Sequence, residues 1–392
     1  MRVAIVTHVV RHNDGQGRVN HEIARAALEE GMEVTLVASH VAPELLAHPR
    51  VRWVCVKPGK WWPTNLLRQQ VFAAKSALWL RAHRSEYDVL HVNGFITWAR
   101  ADVNTAHFVH SGWARSRYYP FGIGRSLWSS YQYVYTRCNA WLERWAYRRS
   151  RVITAVSKKV ADEIRSIGLT PSNRLDVIYN GVDTQGFAAA SGDRAKFDLP
   201  ADAFLLLFVG DLRTPRKNLG TVLEALRVLP PRVQIAVAGY LPGSPYPEMA
   251  RKLGIADRVH FLGLVKDMPA LMHSVNAFVF PSRYEAMSLS LLEAMAAGLP
   301  VVTARTAGGA EIITPECGIV LEDPDDPHAL AEAVARLADS SDRCEAMGRA
   351  ASELATQFGW TRMAQQYLAL YRQLADGEAG RRAEAPDAAY AQ

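Results

Sequence analysis

Residues 276–303 read NAFVFPSRYEAMSLSLLEAMAAGLPVVT, a succession that predicts a strand, a loop, a helix and a second strand. The apolar run at 277–280 fits a buried strand, and Gly298 can end the helix just before the apolar run at 301–302. Two strands joined through a helix predict parallel pairing in a sheet that helices cover. In such an open sheet the loop after a strand lies at the carboxyl edge, where ligands bind.

Two glutamates stand eight residues apart in this segment. Glu285 falls in the predicted loop, and Glu293 falls about one turn into the helix, on its polar side. Eight residues of continuous helix would hold them about 12 Å apart. Both are candidates for ligand contact, although a carboxylate near a helix N-terminus is also favourable by itself.

The alternation of short apolar runs with helical patterns continues along all 392 residues. It predicts an α/β fold with parallel sheets that helices cover on both faces, and the length suits two domains. The predicted divisions are residues 1–185, residues 200–360, a helix at 361–375 and a tail at 376–392. Because the tail has few large apolar residues, we expect it to be disordered. Strands are predicted at 2–7, 33–38, 51–56, 88–92, 151–155, 175–178, 204–209, 234–238, 259–262, 277–280 and 301–302, and the helices of the first half at 19–30, 66–84, 126–149 and 158–167.

Composition is that of an ordinary globular protein, with 49% hydrophobic and 21% charged residues. The four cysteines are scattered, so neither disulfides nor zinc is expected from them. The apolar run at 1–7 predicts a first strand rather than a signal peptide, and no stretch approaches the roughly 20 apolar residues that span a bilayer. We therefore expect a cytoplasmic protein.

Positive charge is concentrated in the first half. Between residues 100 and 160 there are eleven Arg or Lys against two acids. From Trp113 to Arg151 these cations alternate with aromatic residues, a pattern that suits an anionic membrane surface and a peripheral position on the inner face of the cytoplasmic membrane. The alternative is a helix whose aromatic face packs within its own domain. No nucleic-acid motif accompanies the pattern, so we predict no nucleic-acid partner.

Two loops of the second half combine cations or free amides with a helix N-terminus, which favours anion binding. The first loop follows the strand at 204–209, and its cations are Arg213, Arg216 and Lys217. The second precedes the helix of Glu293, and its amides are those of Met287, Ser288 and Leu289. Because an anion there would repel Glu285, we expect Glu285 to face neutral sugar hydroxyls. A solvated basic loop is the alternative for the first.

The loop after the first strand carries Gly15 and Gly17, but Asn20 stands where a dinucleotide fingerprint needs a third glycine. A nicotinamide cofactor is therefore disfavoured. His107 and His110 follow a strand-like run without an evident carboxylate or thiol partner, so we predict no metal there. Asp323 and Asp325 precede a helix at 327–338, and capping is the expected role.

Four motifs occur in order along the chain: Asn180-Gly181-Val182-Asp183, the loop ending in Arg216-Lys217-Asn218, the two glutamates after a strand, and Gly308-Gly309-Ala310-Glu311. With them the whole chain resembles a retaining glycosyltransferase of family 4, which has the GT-B architecture. The resemblance implies two doubly wound, Rossmann-like domains that face each other across a cleft, with the helix at 361–375 crossing back to the first domain. One departure is Asp211, which stands where the family often has a basic residue. Arg213 is expected to replace it.

The resemblance implies a nucleotide-diphosphate sugar as co-substrate, held mainly by the second domain, and an acceptor held mainly by the first. Lys217 and an arginine of its loop would bind the diphosphate, and Glu293 the ribose. Glu285 would bind the transferred sugar, with His107 nearby in the cleft. The implied catalytic residues are Glu285, His107 and Lys217. The implied donor-binding residues are Gly15, Gly17, Arg213, Arg216, Lys217, Glu285, Met287, Ser288, Leu289 and Glu293.

The spacing of the glutamates also bears on mechanism. Retaining glycosidases hold a nucleophile and an acid about 5 Å apart, so Glu285 and Glu293 are not such a pair. Front-face displacement, which is usually proposed for the family, is compatible with this, and no metal or cofactor is expected. The acceptor is expected to be a glycan or lipid-linked molecule of cell-envelope polysaccharide or lipopolysaccharide synthesis. Alternatives are a sugar-phosphate synthase of the same architecture and a catalytically silent scaffold or regulatory subunit.

Overall fold

The computed structural model describes residues 1–12, 14–59, 61–169 and 174–384, with side chains described as far as residue 377. The strands of the first half are β1 (Arg2–Val6), β2 (Val9–Val10), β3 (Glu33–Ala38), β4 (His40–Val41), β5 (Val51–Cys55), β6 (Val89–Asn93), β7 (Val103–Ala106), β8 (Val152–Ala155) and β9 (Arg174–Val177). Its helices are α1 (Gly15–Glu29), α2 (Pro43–Leu46), α3 (Asn65–Ala82), α4 (His110–Arg115), α5 (Leu127–Arg148) and α6 (Lys158–Ser166). Seven strands form one parallel sheet in the order β5-β3-β1-β6-β7-β8-β9, and β2 pairs with β4 separately.

The second half forms a six-stranded parallel sheet. Its strands are β10 (Phe204–Val209), β11 (Val233–Ala238), β12 (Val259–Gly263), β13 (Ala277–Phe280), β14 (Val301–Ala304) and β15 (Gly318–Leu321). The remaining helices are α7 (Thr184–Ala188), α8 (Leu219–Val228), α9 (Tyr246–Lys252), α10 (Met268–Met272), α11 (Leu289–Ala296), α12 (Pro327–Ala338), α13 (Ser341–Ala355) and α14 (Trp360–Glu384). The strand order is β12-β11-β10-β13-β14-β15.

These two parallel sheets confirm the predicted fold class. The segment at 276–303 forms β13, α11 and β14, and Phe278 pairs with Val301 in parallel register. The sequence pattern does not predict β15, whose four residues are too few to separate a strand from a buried helical turn. Pairing with β14 fixes β15, and a Cβ at Gly318 would lie 2.5 Å from the carbonyl oxygen of Val301.

The last helix, α14, packs against the first sheet although it follows the second domain in sequence. The hydroxyl of Tyr371 lies 2.6 Å from Nδ1 of His91, and that of Tyr367 lies 3.1 Å from Oγ1 of Thr105, all of them buried. The helix extends to Glu384, past its predicted end at 375 and into the segment for which disorder is predicted. Residues 385–392 lie outside the described chain.

The helix α5 lies in the basic, aromatic stretch and has features of both interpretations, a buried face and an exposed face. Ser126 caps its N-terminus, and Tyr147 on the inner face is completely buried. On the outer face, Leu127 is 93% exposed and Trp141 is 63% exposed. One side of the helix therefore contributes to the core while the other presents apolar side chains to solvent. Within the described residues, no helix combines the length and the apolar character needed to cross a bilayer.

Candidate active site

The loop between β13 and α11 is fixed by backbone contacts with a neighbouring loop. Glu285 forms an isolated parallel bridge with Ala307, and the amide of Gly308 donates to the carbonyl of Glu285 at 2.9 Å. A Cβ at Gly308 would lie 1.7 Å from the carbonyl oxygen of Ala286, so only glycine allows this approach. The paired glycines thus position Glu285.

The side chain of Glu285 joins the basic loop. Its carboxylate contacts Nζ of Lys217 and lies 3.3 Å from Nη1 of Arg216, which also donates to the carbonyl of Tyr284 at 2.9 Å. Burial alone would raise the pKa of Glu285, but the charges of Lys217 and Arg216 outweigh it and lower this pKa below its ordinary value. The carboxylate is therefore ionised at neutral pH.

Asn218 holds the basic loop in place, a role that the sequence motif does not reveal. It adopts a left-handed conformation (φ 66°) between the short 3-10 turn Pro215–Lys217 and α8. Its side-chain amide donates to the carbonyls of Pro281, at 3.1 Å, and Pro324, at 2.6 Å. Because Asn tolerates this backbone region better than most residues, the turn that presents Lys217 is specified locally.

Arg213 is paired with a different carboxylate from Arg216 and Lys217, the other two cations of the loop. It forms two hydrogen bonds with the carboxylate of Asp211, at 2.9 and 3.0 Å, and its guanidinium lies 4.7 Å from the ring centroid of Tyr240. The structure therefore brings Arg216 and Lys217 to Glu285 and leaves Arg213 paired with Asp211, the residue at which the chain departs from the family pattern.

Of the three amides predicted to be free before α11, that of Ser288 is engaged. It donates to the carbonyl of Gly308 at 3.3 Å, while its side chain caps α11 by accepting from Leu291. Nothing among the described residues accepts from the amides of Met287 and Leu289. The prediction of three free donors is therefore wrong for Ser288.

Glu293 is the fifth residue of α11 and is half-buried. Burial raises its pKa to about 7, and the positive charge of Arg18 on α1 opposes this increase. Arg18 lies 2.8 Å from Glu22 and 5.4 Å from the ring centroid of Trp360. The first domain thus contributes a cation whose charge acts on Glu293, an interaction that the sequence does not predict.

His107 follows β7 and is held by the buried Asn93, which is itself bonded to Asn20. Its Nε2 lies 2.9 Å from Oδ1 of Asn93, whose amide donates to the carbonyl of Val6 and to Asn20. Because that amide donates elsewhere, Oδ1 is left to accept, which places the proton of the neutral ring on Nε2 and the lone pair on Nδ1. Burial lowers the pKa of His107 to about 4, so the ring is neutral at pH 7.

Two expectations about nearby polar residues are corrected. His110 does have a carboxylate partner, because Glu143 of α5 accepts from its backbone amide at 2.8 Å and contacts its Nδ1. The N-cap of α12 is Asp326, not Asp323 or Asp325. Asp323 instead contacts Arg117 of the first domain at 2.7 Å.

Residues of the first domain hold the chain on both sides of Glu285. The hydroxyl of Tyr284 lies 2.9 Å from the carbonyl of Val109 and 2.7 Å from the carboxylate of Glu163. The hydroxyl of Ser157 donates to the carbonyl of Ala286 at 2.7 Å. The site is therefore built at the contact between the two domains.

Comparison with known proteins identifies the family of both halves of the chain. The family model described as Glycosyltransferase Family 4 matches residues 13–185, and that described as Glycosyl transferases group 1 matches residues 203–340. The D-inositol 3-phosphate glycosyltransferase of Salinispora tropica is 32% identical over an alignment of 244 residues that covers 56% of this chain. The chain spans half the length of that relative. The MMP alpha-(1->4)-mannosyltransferase of Mycolicibacterium hassiacum is 26% identical over 95% of this chain and 98% of its own length.

The fold has a solved counterpart in WaaG, a glycosyltransferase involved in lipopolysaccharide biosynthesis. It matches with a TM-score of 0.76 and 21% identity over 93% of this chain and 98% of WaaG. The two-domain architecture is that of the GT-B proteins, as predicted. The chain belongs to the family 4 glycosyltransferases.

Proposed function

We propose that the protein transfers a hexose-type sugar, with retention of configuration, from a nucleotide-diphosphate sugar to a glycan or lipid-linked acceptor. The observation that carries this proposal is the contact of Glu285 with Lys217 and Arg216 at the carboxyl edge of the second sheet. Cations and an anion at one point between two domains can bind a ligand that carries both phosphate and hydroxyl groups.

The cations would stabilise the departing nucleoside diphosphate. In the free protein Lys217 and Arg216 are paired with Glu285, and a diphosphate would compete with that carboxylate for them. Transfer of the cations to phosphate would free Glu285 to accept hydrogen bonds from the sugar. Negative charge then accumulates on the leaving phosphate opposite two fixed cations, which lowers the barrier to departure without a metal.

Glu293 would bind the ribose of the donor. With a pKa of about 7, the carboxyl group is present in both protonation states near neutrality and can donate to or accept from a diol. The amides of Met287 and Leu289 lie at the start of the same helix and remain available to a phosphate oxygen. Gly15 and Gly17 begin α1, the helix that also carries Arg18, and would allow the donor to approach the backbone.

His107 would position the sugar rather than act as a strong acid. Its neutral ring presents Nδ1 as an acceptor, because Asn93 fixes the proton on Nε2. Glu285 and Glu293 are held by different partners in different environments, which does not favour their joint action as nucleophile and acid. Front-face displacement is consistent with separate roles for the two glutamates.

The acceptor is proposed to belong to cell-envelope polysaccharide or lipopolysaccharide synthesis, by analogy with WaaG. The exposed apolar side chains of α5, among them Leu127 and Trp141, lie beside its arginines and suit a peripheral position on the inner face of the cytoplasmic membrane. A lipid-linked acceptor would be met at that surface.

Donor screening followed by turnover tests the proposal. A bound donor raises the melting temperature by mass action, so thermal shifts with UDP-, GDP- and ADP-sugars should identify the base. The selected donor should then be hydrolysed or transferred by the wild type and by Lys252→Ala, a control on the exposed face of α9, but not by Lys217→Ala or Glu285→Ala. Binding without turnover by any protein would favour a silent scaffold. Transfer to a sugar phosphate alone would favour a synthase.

A further inference from the structure

Four ionisable side chains meet beside the loop that precedes α1. His12 lies in that loop, His21 and Glu22 lie on α1, and Glu44 lies on α2. The two imidazole rings pack with their centroids 3.9 Å apart and their planes tilted by 50°. Both Nε2 atoms face Oε1 of Glu44, at 3.0 Å from His12 and 3.3 Å from His21. Both Nδ1 atoms face Oε1 of Glu22 on the other side.

His21 is the unusual member of this group. It is only 1% exposed, yet neither of its ring nitrogens forms a hydrogen bond of acceptable geometry within the described chain. A buried polar atom without a hydrogen bond is unfavourable, so native structures seldom leave one unsatisfied. A carboxylate lies on each side of the ring, Glu22 by Nδ1 and Glu44 by Nε2, and an ion bound by Nε2 and Glu44 would satisfy Nε2.

We propose that Nε2 of His12, Nε2 of His21 and a carboxylate oxygen of Glu44 bind one divalent transition-metal ion of the Zn²⁺ type. The three residues each offer one ligand atom within 4.8 Å of those of the other two, and both Nε2 atoms face the same oxygen of Glu44. Two imidazoles and a carboxylate are a ligand set that zinc accepts, with bonds of about 2.0–2.2 Å. The side chains of His12 and Glu44 are 44% and 50% exposed, so an ion can enter and a water molecule can complete the coordination.

Glu22 supplies the outer shell that such a site needs. Metal-binding histidines generally donate the hydrogen of their other ring nitrogen to a carboxylate, which fixes the tautomer. Glu22 is placed to accept from Nδ1 of His21, at 3.5 Å, and it is itself held by Arg18 and Arg25, at 2.8 and 3.0 Å. Two arginines therefore fix the carboxylate that orients the imidazole.

The proposed ion would stabilise local structure and is separate from the transfer chemistry. It would join the loop of His12, the first turns of α1 and the short helix α2. Asp14, which caps α1 through the amide of Gly17 at 2.6 Å, lies two residues after His12. The ion would thus fix the loop that leads to Gly15 and Gly17.

Metal titration of the untagged, chelator-stripped protein tests this proposal. The wild type should compete with a chromogenic chelator for one equivalent of Zn²⁺, and bound Co²⁺ should give the visible absorption of a four-coordinate N,O site. His12→Asn and Glu44→Gln should each weaken Zn²⁺ binding roughly tenfold or more. His40→Asn, at an exposed histidine of β4, should bind like the wild type.

A second measurement separates loss of the site from loss of the fold. Both substitutions lie at exposed side chains, so the metal-free variants should melt close to the metal-free wild type. Zn²⁺ should then raise the melting temperature of the wild type and of His40→Asn but not that of the other two. Failure of the wild type to bind Zn²⁺, or equal binding by His12→Asn and Glu44→Gln, would overturn the proposal.

Discussion

At the scale of single residues, Glu285 and Glu293 show how environment separates two identical side chains. Both are partly buried, which raises the pKa of a carboxyl group. Two cations reverse the effect at Glu285, whereas Arg18 only reduces it at Glu293. One glutamate is therefore a fixed anion and the other titrates near neutrality, which fits different parts of the same donor.

The ion cluster of Glu285 should contribute to stability in a pH-dependent way. Glu285→Gln leaves Lys217 and Arg216 without their anion. We expect it to lower the free energy of unfolding by on the order of 1–3 kcal/mol at pH 7. Because the folded-state pKa of Glu285 is lowered, this contribution is present above the unfolded value, about 4.3, and is lost as the pH falls through the folded value. Thermal melts of both proteins should therefore differ most at pH 7 and converge as the pH falls through the lowered pKa of Glu285. A difference independent of pH would contradict the assignment.

Glu293 should have the opposite effect on the pH dependence of stability. Its folded pKa of about 7 lies above the unfolded value, so the folded state keeps a proton that the unfolded state releases, and stability falls as the pH rises between the two values. As the pH rises from 5 to 8, the free energy of unfolding of Glu293→Gln should increase by about 1–3 kcal/mol relative to that of the wild type. Urea denaturation at both pH values measures this, with Glu248→Gln on α9 as the control. The gain should be absent in the control.

At the scale of elements, α5 was predictable and β15 was not. Ser126 and the pattern after it predict a helix at 126–149, and the observed helix is Leu127–Arg148. Capping and periodicity are local signals, so the sequence carries them. The strand β15 is specified by its pairing with β14, which the sequence around Gly318 does not display. Likewise, α14 extends past its predicted end at residue 375.

The outer face of α5 should determine membrane binding. Leu127, Val134 and Trp141 recur every seven residues and are 93%, 49% and 63% exposed, with Arg148 one interval further on. Replacing Leu127 and Trp141 by serine should weaken sedimentation with anionic vesicles roughly tenfold or more, because two apolar side chains lose their burial in lipid. Leu264→Ser, an exposed leucine of the second domain, is the control. Equal sedimentation of all three proteins would remove the membrane proposal.

At the scale of the whole molecule, the site depends on contacts that no local pattern contains. The two glutamates were predictable because they lie on one strand–loop–helix unit. The contacts of Tyr284 with Glu163, and of Arg18 with the surroundings of Glu293, join residues from different domains. Only the packing of the domains brings them together. Arg213 also pairs with Asp211. The spacing of charged residues along the sequence does not predict which carboxylate an arginine contacts.

Tyr284 should link domain packing to donor binding. Tyr284→Phe removes the hydroxyl that contacts Val109 and Glu163, at a cost of roughly 0.5–1.5 kcal/mol. Because the adjacent residue is Glu285, we expect the KM for the donor to rise severalfold with a smaller change in kcat. Tyr133→Phe on α5 is the matched control. Steady-state kinetics that are unchanged in Tyr284→Phe would show that this contact does not position the site.

The central claim is that the diphosphate of the donor displaces Glu285 from Lys217 and Arg216. Isothermal titration of a nucleoside diphosphate measures this directly in the wild type and in two variants. Lys217→Met should bind roughly tenfold or more weakly, because a charge-assisted contact is lost. Glu285→Gln should bind the free diphosphate more tightly than the wild type, since its competitor for the cations is gone, although it no longer transfers sugar. Unchanged affinity in Lys217→Met, or weaker affinity in Glu285→Gln, would contradict the account.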